Sequence, residues 1–259
     1  MSESAGRTLT IAAILCGVCS VLVSGAVVIL KPRQDFNADL DFKKNILMST
    51  GLYTEGADIN EIFKKIEPAV VDLESGEITD IDPKTFDAGK APVDKIPTKT
   101  DSAGIKQRAR QQIVYFVKNE GKVEMIVLHL VGKGLWSTMK GFLALEADAN
   151  TVRGFQYYTH GETPGLGGEV DNPAWIAQWK GKKVFNDDLK PAVDVLKSKV
   201  PAGTPNFENK IDGISGATLT MVGVEGTFNF WLSEMGYGKF LENFRAQNQV
   251  AQAEVSNEN

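Results

Sequence analysis

The most uniform run of apolar positions in this chain lies near its N-terminus. Residues 8–30 contain no charged side chain and consist mainly of Ile, Leu, Val, Ala and small residues. A run of this length matches what an α-helix needs to cross a bilayer core. A cleaved signal peptide is the alternative, but the run is long for a signal-peptide core and no small-residue cleavage site precedes Lys31-Pro32-Arg33. We therefore expect residues 1–33 to form the N-terminus and a transmembrane helix.

Charge does not orient this segment. Arg7 precedes the apolar run, and Lys31 and Arg33 follow it. Because both flanks are basic, the positive-inside rule does not predict which end of the helix lies on the cytoplasmic side. Small residues at helical spacing, such as Ala13 and Gly17, favour close packing of the anchor against other membrane helices.

The pattern between the anchor and residue 110 is mixed. Residues 35–48 are typical of a polar–apolar connector that could continue the helix out of the membrane. Residues 56–66 have the period of a short amphipathic helix, and residues 70–77 that of a strand running into a turn. Residues 80–101 are rich in Pro, Lys and Asp, which predicts an extended, poorly structured excursion. We assign 34–110 to a connector and the N-terminal part of the soluble region.

From residue 111 onwards, apolar and polar positions alternate in pairs of segments separated by turn residues. Two β-hairpins are predicted, from residues 111–118 with 122–131 and from 142–147 with 151–158. Further predicted elements are a helix start at Pro173, a strand at 192–196, and helices at 220–235 and 238–249. The fold class expected is α+β, a twisted, mainly antiparallel sheet with packed helices plus an N-terminal transmembrane helix. We expect a domain over 111–250 and a frayed polar tail over 251–259.

Composition narrows the chemistry. The formal net charge of -5 argues against nucleic-acid binding. The two cysteines, Cys16 and Cys19, lie in the apolar segment, where a packing face explains them better than a metal pair without further ligands. The two histidines, His129 and His160, are too few for a His-based metal centre. Redox chemistry would therefore require an organic cofactor.

Three loops carry the candidate chemistry. Asp212-Gly213-Ile214-Ser215-Gly216-Ala217-Thr218 leads into an apolar helical pattern, so its backbone N–H groups and a helix N-terminus could surround one anion. An ordinary loop with Ser215 or Thr218 as helix cap is the alternative. Leu135-Trp136-Ser137-Thr138 offers an aromatic plane and two hydroxyls, unless the Trp packs in the core. Residues 160–169 are rich in Gly, which would let the backbone approach a ligand closely. An ordinary Gly-rich surface loop is the alternative.

Acid–base catalysis is a weaker interpretation of these loops. His160 and Glu162 could exchange a proton, but no Ser/His/Asp or Cys/His set can be assembled around them. We expect His160 to be a structural hydrogen-bonding residue, and we assign no catalytic residue.

The 212–218 turn resembles the flavinylation motif of proteins that carry FMN covalently, with the phosphate esterified to the last Thr, here Thr218. With one membrane helix, Gly134-Leu135-Trp136-Ser137 and Glu162-Thr163-Pro164-Gly165-Leu166-Gly167 in the same order, the chain is similar to the NqrC family of the Na+-translocating NADH:quinone oxidoreductases. The related RnfG proteins of the Rnf complexes are the alternative within the same family.

The resemblance implies an FMN joined to Thr218 by a separate FAD:protein FMN transferase. It also implies a single-pass inner-membrane protein with a cytoplasmic N-terminus and a periplasmic flavin domain, which passes single electrons between redox centres of a complex with other membrane subunits. Around the cofactor we expect a phosphate turn and a ring or ribityl lining, with Lys182 as a further contact. The turn residues are Asp212, Ser215, Gly216 and Ala217, and the lining residues are Trp136, Ser137, Glu162, Thr163, Leu166 and Gly167.

Two other classes of function remain open from the sequence. A membrane-anchored scaffold domain without a cofactor would have no need of an acceptor Thr after the Ser-Gly-Ala turn. A membrane-tethered flavin enzyme with its own substrate would need a second set of catalytic residues, which the sequence does not show.

Overall fold

The computed structural model of the protein describes residues 5–257, with side chains described as far as residue 248. The chain divides into two compact units, Met1–Lys43 and Lys44–Asn259. Helix α1 (Ala5–Thr50) continues through Pro32 and beyond the apolar run, as expected for residues 35–48. Its most apolar 18-residue window has a mean hydropathy of 2.6 and is fully exposed, so it is long and apolar enough to cross a membrane.

The second unit is built on an antiparallel sheet. Within the described residues, six strands pair in the order β2-β1-β5-β6-β7-β8. Two further pairs lie beside the sheet, β3 with β4 and β9 with β10. The strands are β1 (Ile66–Asp72), β2 (Glu77–Ile78), β3 (Val93–Lys95), β4 (Gln107–Ala109), β5 (Gln111–Asn119), β6 (Lys122–Lys133), β7 (Thr138–Glu146), β8 (Val152–Thr159), β9 (Asp194–Val195) and β10 (Lys210–Ile211).

Both predicted hairpins are confirmed. The β5–β6 turn has positive φ at Glu120 and Gly121, the backbone that a two-residue turn matching the strand twist requires. Strands β6 and β7 pair all the way to Lys133↔Thr138, so β7 begins four residues before the predicted 142–147 segment. Their last pair places the Leu135–Trp136 loop at the tip of this hairpin.

Helices cover the sheet. They are α2 (Ile59–Phe63), α3 (Pro173–Ala177), α4 (Thr218–Leu232) and α5 (Gly238–Asn257). Helix α4 lies closely against the end of β6, since a Cβ placed on Gly223 would lie 2.2 Å from the carbonyl oxygen of Lys133. Only glycine permits this approach, which brings the N-terminus of α4 to the hairpin tip. The expected α+β class, with an antiparallel sheet, packed helices and a long apolar N-terminal helix, is confirmed.

Several element boundaries differ from expectation. The helix predicted at 56–66 is limited to α2, because Ile66 instead begins β1 and pairs with Val117. The 192–196 strand is reduced to β9, which pairs in parallel with β10. The 80–101 excursion contributes β3, and α5 continues to Asn257 where a frayed tail was expected from 251. In each case a long-range pairing or a continuing helix replaces what the local pattern suggested.

Candidate functional site

A cavity of about 340 Å3 opens at the hairpin tip, bounded by the three Gly-rich loops. Leu135 and Trp136 line one side, residues from the 162–167 segment another, and residues 216–220 the third. Its size falls in the range of ligand sites in proteins. Segments that are distant in the sequence therefore form one site.

The 212–218 turn ends in an open helix N-terminus. Ala217 N–H donates to the carbonyl oxygen of Ile214 at 3.1 Å, and Gly216 between them has φ +75°. Such a turn requires glycine at that position. Thr218 begins α4 with an exposed side chain, and within the described residues no side chain caps the helix at Ala217. The first N–H groups of a helix have no intrahelical partner, so this end favours an anion.

Glu162 holds the loops together. The residue is only 5% exposed. Its Oε1 accepts from the N–H groups of Trp136 (3.0 Å) and Ser137 (3.1 Å), and from Ser137 Oγ at 3.3 Å. Oε2 accepts from Leu135 N–H at 3.1 Å and from Thr220 Oγ1 at 2.7 Å. The hairpin tip is thereby fixed to the first turn of α4.

These donors determine the charge state of Glu162. Burial by itself would raise the pKa of the carboxyl. The hydrogen bonds from the Thr220 hydroxyl and from the backbone of Trp136, Ser137 and Leu135 outweigh that effect, so the pKa lies below its usual value of 4.5. Glu162 is therefore ionised at neutral pH, and its negative charge is compensated inside the protein.

Most of the residues expected at the cofactor lie at this cavity. Eight of them line it: Trp136, Glu162, Thr163, Leu166, Gly167, Gly216, Ala217 and Thr218. Ser137 lies directly behind the lining, where its Oγ accepts from the N–H of Gly161 at 2.7 Å. The expectation that these loops meet is thus reproduced in the fold.

Three expected residues do not line the cavity. Asp212 supports the turn from outside, because its Oδ1 accepts from Val200 N–H at 2.8 Å. Ser215 is exposed on the turn. Lys182 donates to the carbonyl oxygen of Phe207 at 2.8 Å and lies 3.7 Å from the centroid of the Phe207 ring. Burial lowers the pKa of Lys182, against the opposing charge of Asp212.

Sequence reasoning missed Leu135, Leu219 and Thr220 as lining residues. Thr220 is 1% exposed, whereas Leu219 is 62% exposed. Successive helix positions point about 100° apart, so Thr218 and Thr220 point about 200° apart and cannot both face solvent on the same side of α4.

His160 organises the second loop. Its Nε2 lies 2.6 Å from Asp171 Oδ2, and its Nδ1 accepts from the N–H of Glu162 at 3.2 Å. Both ring nitrogens are used within the loop, in keeping with a structural role.

Comparison with known proteins identifies the family that this chain resembles. Residues 134–233 match the model of the FMN-binding domain family, a span that contains all three loops. The NqrC protein of the Na(+)-translocating NADH-quinone reductase of Yersinia pestis is 44% identical over 254 residues, 94% of each chain. The NqrC protein of Pseudomonas aeruginosa is 45% identical over 253 residues, 94% of this chain and 97% of the relative.

Solved structures agree with the sequence relatives. The crystal structure of Shewanella oneidensis NqrC is 35% identical, with a TM-score of 0.72 over 80% of this chain and 97% of that chain. The NqrC protein from Parabacteroides distasonis is 30% identical, with a TM-score of 0.64 over 82% of this chain and 96% of that one. The likeness therefore extends over nearly the whole length of both solved chains.

Proposed function

The chain belongs to the NqrC family of the Na+-translocating NADH-quinone reductases, and from that premise we propose that it carries FMN covalently on Thr218 and transfers single electrons within such a complex. The flavin-carrying domain of this proposal comprises residues 111–250, preceded by the connector 34–110 and the anchor 1–33. The 134–233 family match lies inside that domain.

The exposed Thr218 hydroxyl at an uncapped helix N-terminus carries the proposal. A phosphate esterified there would lie among the N–H groups of the first turn of α4, which favour negative charge. Thr220, two residues on, is a poor acceptor because it is buried and donates to Glu162. The exposure of the two side chains thus favours Thr218 over Thr220 as the acceptor.

The rest of the cavity suits an aromatic cofactor. Exposed apolar side chains surround it: Trp136 (68% exposed), Leu135 (42%), Leu166 (45%) and Leu219 (62%). Exposed apolar side chains gathered around one cavity are typical of a surface that a ligand or partner covers. A bound FMN supplies one-electron redox chemistry, and these side chains would exclude water from the faces of its ring.

Attachment requires a separate enzyme. We assign it to an FAD:protein FMN transferase, which would move the FMN phosphoryl group of FAD to Thr218 Oγ1. The new P–O bond forms at the hydroxyl, the hydroxyl proton is released, and AMP leaves with the broken pyrophosphate bond. Asp212 and Ser215 would shape the turn from outside the cavity. The contacts of Lys182 with Phe207 favour support of this region over direct contact with FMN.

Substitution of single hydroxyls tests the attachment site. Thr218→Val protein, produced together with an active transferase, should show no flavin fluorescence at its position in a denaturing gel. The matched controls Ser215→Ala and Thr163→Val remove exposed hydroxyls from the same turn and the same cavity, and should keep it. Fluorescence of Thr218→Val at the wild-type level would overturn the assignment.

We further propose that the apolar part of α1 spans the inner membrane, with the flavin domain in the periplasm beside the other membrane subunits. In a Cys16→Ala, Cys19→Ala background, a Lys180→Cys variant places a single thiol on the exposed surface of the second unit. A maleimide that cannot cross the inner membrane should label it in cells with a permeabilised outer membrane. A Ser4→Cys variant should be labelled only after lysis. The reverse pattern would place the domain in the cytoplasm.

A further inference from the structure

A second and larger cavity, of about 770 Å3, lies where two central strands separate. Strands β5 and β6 stop pairing at Val114↔Leu128. Beyond that point Gln112 lines the cavity from β5, while His129, Val131 and Lys133 line it from β6. Strand β4 and its preceding loop close the cavity from the other side. The opening is therefore part of the architecture of the sheet.

The charge of this cavity opposes that of the protein. Lys106, Arg108 and Lys133 line it, and within the described part of the chain no Asp or Glu does. The whole chain carries a formal net charge of -5. Three cations gathered around one concavity in an acidic protein raise the local concentration of anions.

Arg108 is buried in this wall without a full set of partners. Its side chain is 7% exposed. Its Nε, within the described residues, has no hydrogen-bond partner. Its Nη1 reaches Asp94 Oδ2 and the carbonyl oxygen of Ala109 only at 3.4 Å, whereas Asp94 is held more closely by Arg110 Nη2, at 3.0 Å.

A buried guanidinium with unused donors is costly. It carries five N–H groups in a fixed planar arrangement that matches the oxygens of a carboxylate or phosphate. Burial lowers the pKa of Arg108, with Asp94 opposing the shift. An oxyanion in the cavity beside the guanidinium would offset the cost of burying the charge.

The apolar part of the cavity wall indicates what kind of group would carry the anion. Ile105, Val131 and Trp231 contribute apolar surface to the same cavity. Lys106 stands at this wall with φ 64°, and its N–H donates to Asp101 Oδ2 at 2.7 Å, which holds it in an uncommon backbone conformation. Cationic and apolar groups therefore face one space.

We propose that this cavity binds a small organic anion, with a phosphate or carboxylate head at Arg108, Lys106 and Lys133 and an apolar body against Ile105, Val131 and Trp231. This site is separate from the cavity at Thr218, and the proposal does not depend on flavin attachment.

Calorimetric titration of the full-length protein in detergent tests the proposal. Phenyl phosphate is the probe; inorganic phosphate supplies the head alone and phenol the body alone. We expect saturable, one-site binding of phenyl phosphate, tighter than that of either part and weakened by salt. Absence of saturable binding, or equal binding of phenol, would overturn the proposal.

Substitutions test whether phenyl phosphate binds in this cavity. Lys106→Gln with Lys133→Gln removes two exposed cations from the cavity and should weaken binding about tenfold. Arg108→Lys retains the charge but not the planar donor pair and should weaken it as well. The matched control is Lys122→Gln, at the opposite end of β6, about 35 Å from Lys133. Equal weakening by the control, or no weakening in the double variant, would show that the cavity is not the site.

A repeat in lipid nanodiscs identifies the source of the anion. Competition with phenyl phosphate by discs containing phosphatidylglycerol, and not by phosphatidylcholine discs, indicates a lipid headgroup. Unchanged binding in both indicates a soluble ligand. Either result is consistent with an anion site in the cavity, provided that the double variant binds phenyl phosphate more weakly than the wild type.

Discussion

Glu162→Gln is the substitution that tests most directly how the cofactor cavity is held together. The carboxylate accepts from three backbone N–H groups and two hydroxyls, at 2.7–3.3 Å. Glutamine has nearly the same shape, but one of its two terminal atoms is a donor. Its oxygen can replace Oε1, which leaves its NH2 group facing Leu135 N–H and the Thr220 hydroxyl.

The magnitude follows from these contacts. The Thr220 hydroxyl can rotate and accept from the amide, whereas the part-buried Leu135 N–H cannot, and a donor left without a partner costs about 1–3 kcal/mol. The bonds from Trp136 and Ser137 change from charge-assisted to neutral, which costs about 1 kcal/mol each. We therefore expect Glu162→Gln to reduce the free energy of unfolding by about 4 kcal/mol at pH 7.

The dependence on pH provides a second test. Because folding lowers the pKa of Glu162 below 4.5, the carboxylate stabilises the folded state at neutral pH. That contribution is lost as the pH falls below 4.5 and through the folded-state pKa. The difference between wild type and Glu162→Gln should therefore shrink on acidification.

Urea unfolding of the full-length protein in detergent, followed by tryptophan fluorescence, measures both effects. Glu234→Gln is the matched control, since Glu234 is exposed and its substitution removes the same charge. The control should change the free energy of unfolding by less than about 0.5 kcal/mol. A loss below about 1 kcal/mol for Glu162→Gln at pH 7 would refute the role of the carboxylate in holding the loops.

Two further predictions concern neighbouring groups. Thr220→Val combined with Glu162→Gln should destabilise the protein by less than the sum of the single variants in the same urea assay, because both remove one shared contact; additive losses would contradict the Thr220–Glu162 hydrogen bond. Burial, together with the charge of Lys140, lowers the pKa of His129 to about 4 from 6.5. As the pH falls, His129 therefore binds a proton in the unfolded state before it does so in the folded state. The free energy of unfolding should decrease by up to about 3 kcal/mol between pH 6.5 and 4. His129→Gln should flatten that part of the pH profile, and an NMR titration of His129 with a midpoint near 6.5 would contradict the shift.

Local signals in the sequence were sufficient to find the loops of the site. Glycine density after strands marks the segments at Trp136, Glu162 and Thr218, and the fold brings them together. The resemblance to flavin-carrying subunits is confirmed at the level of the family, while attachment at Thr218 stays a prediction.

Long-range contacts explain what the sequence did not show. The pattern at residues 56–66 fits a helix, yet Ile66 pairs with Val117, a contact that no local period encodes. Glu162 reads as a polar group available to a ligand, and only the fold shows that its oxygens are used by backbone donors from residues 135–137. The position of Lys182 beside Phe207 likewise depends on where a distant loop packs.

The central claim is the covalent flavin on Thr218, and intact-mass analysis with peptide mapping tests it most directly. The protein is produced together with an FAD:protein FMN transferase that is shown to act on a control substrate. The account predicts an added mass of one FMN less one water, located on Thr218 in the peptide that contains it. An unmodified chain, or an adduct on any other residue, would contradict it.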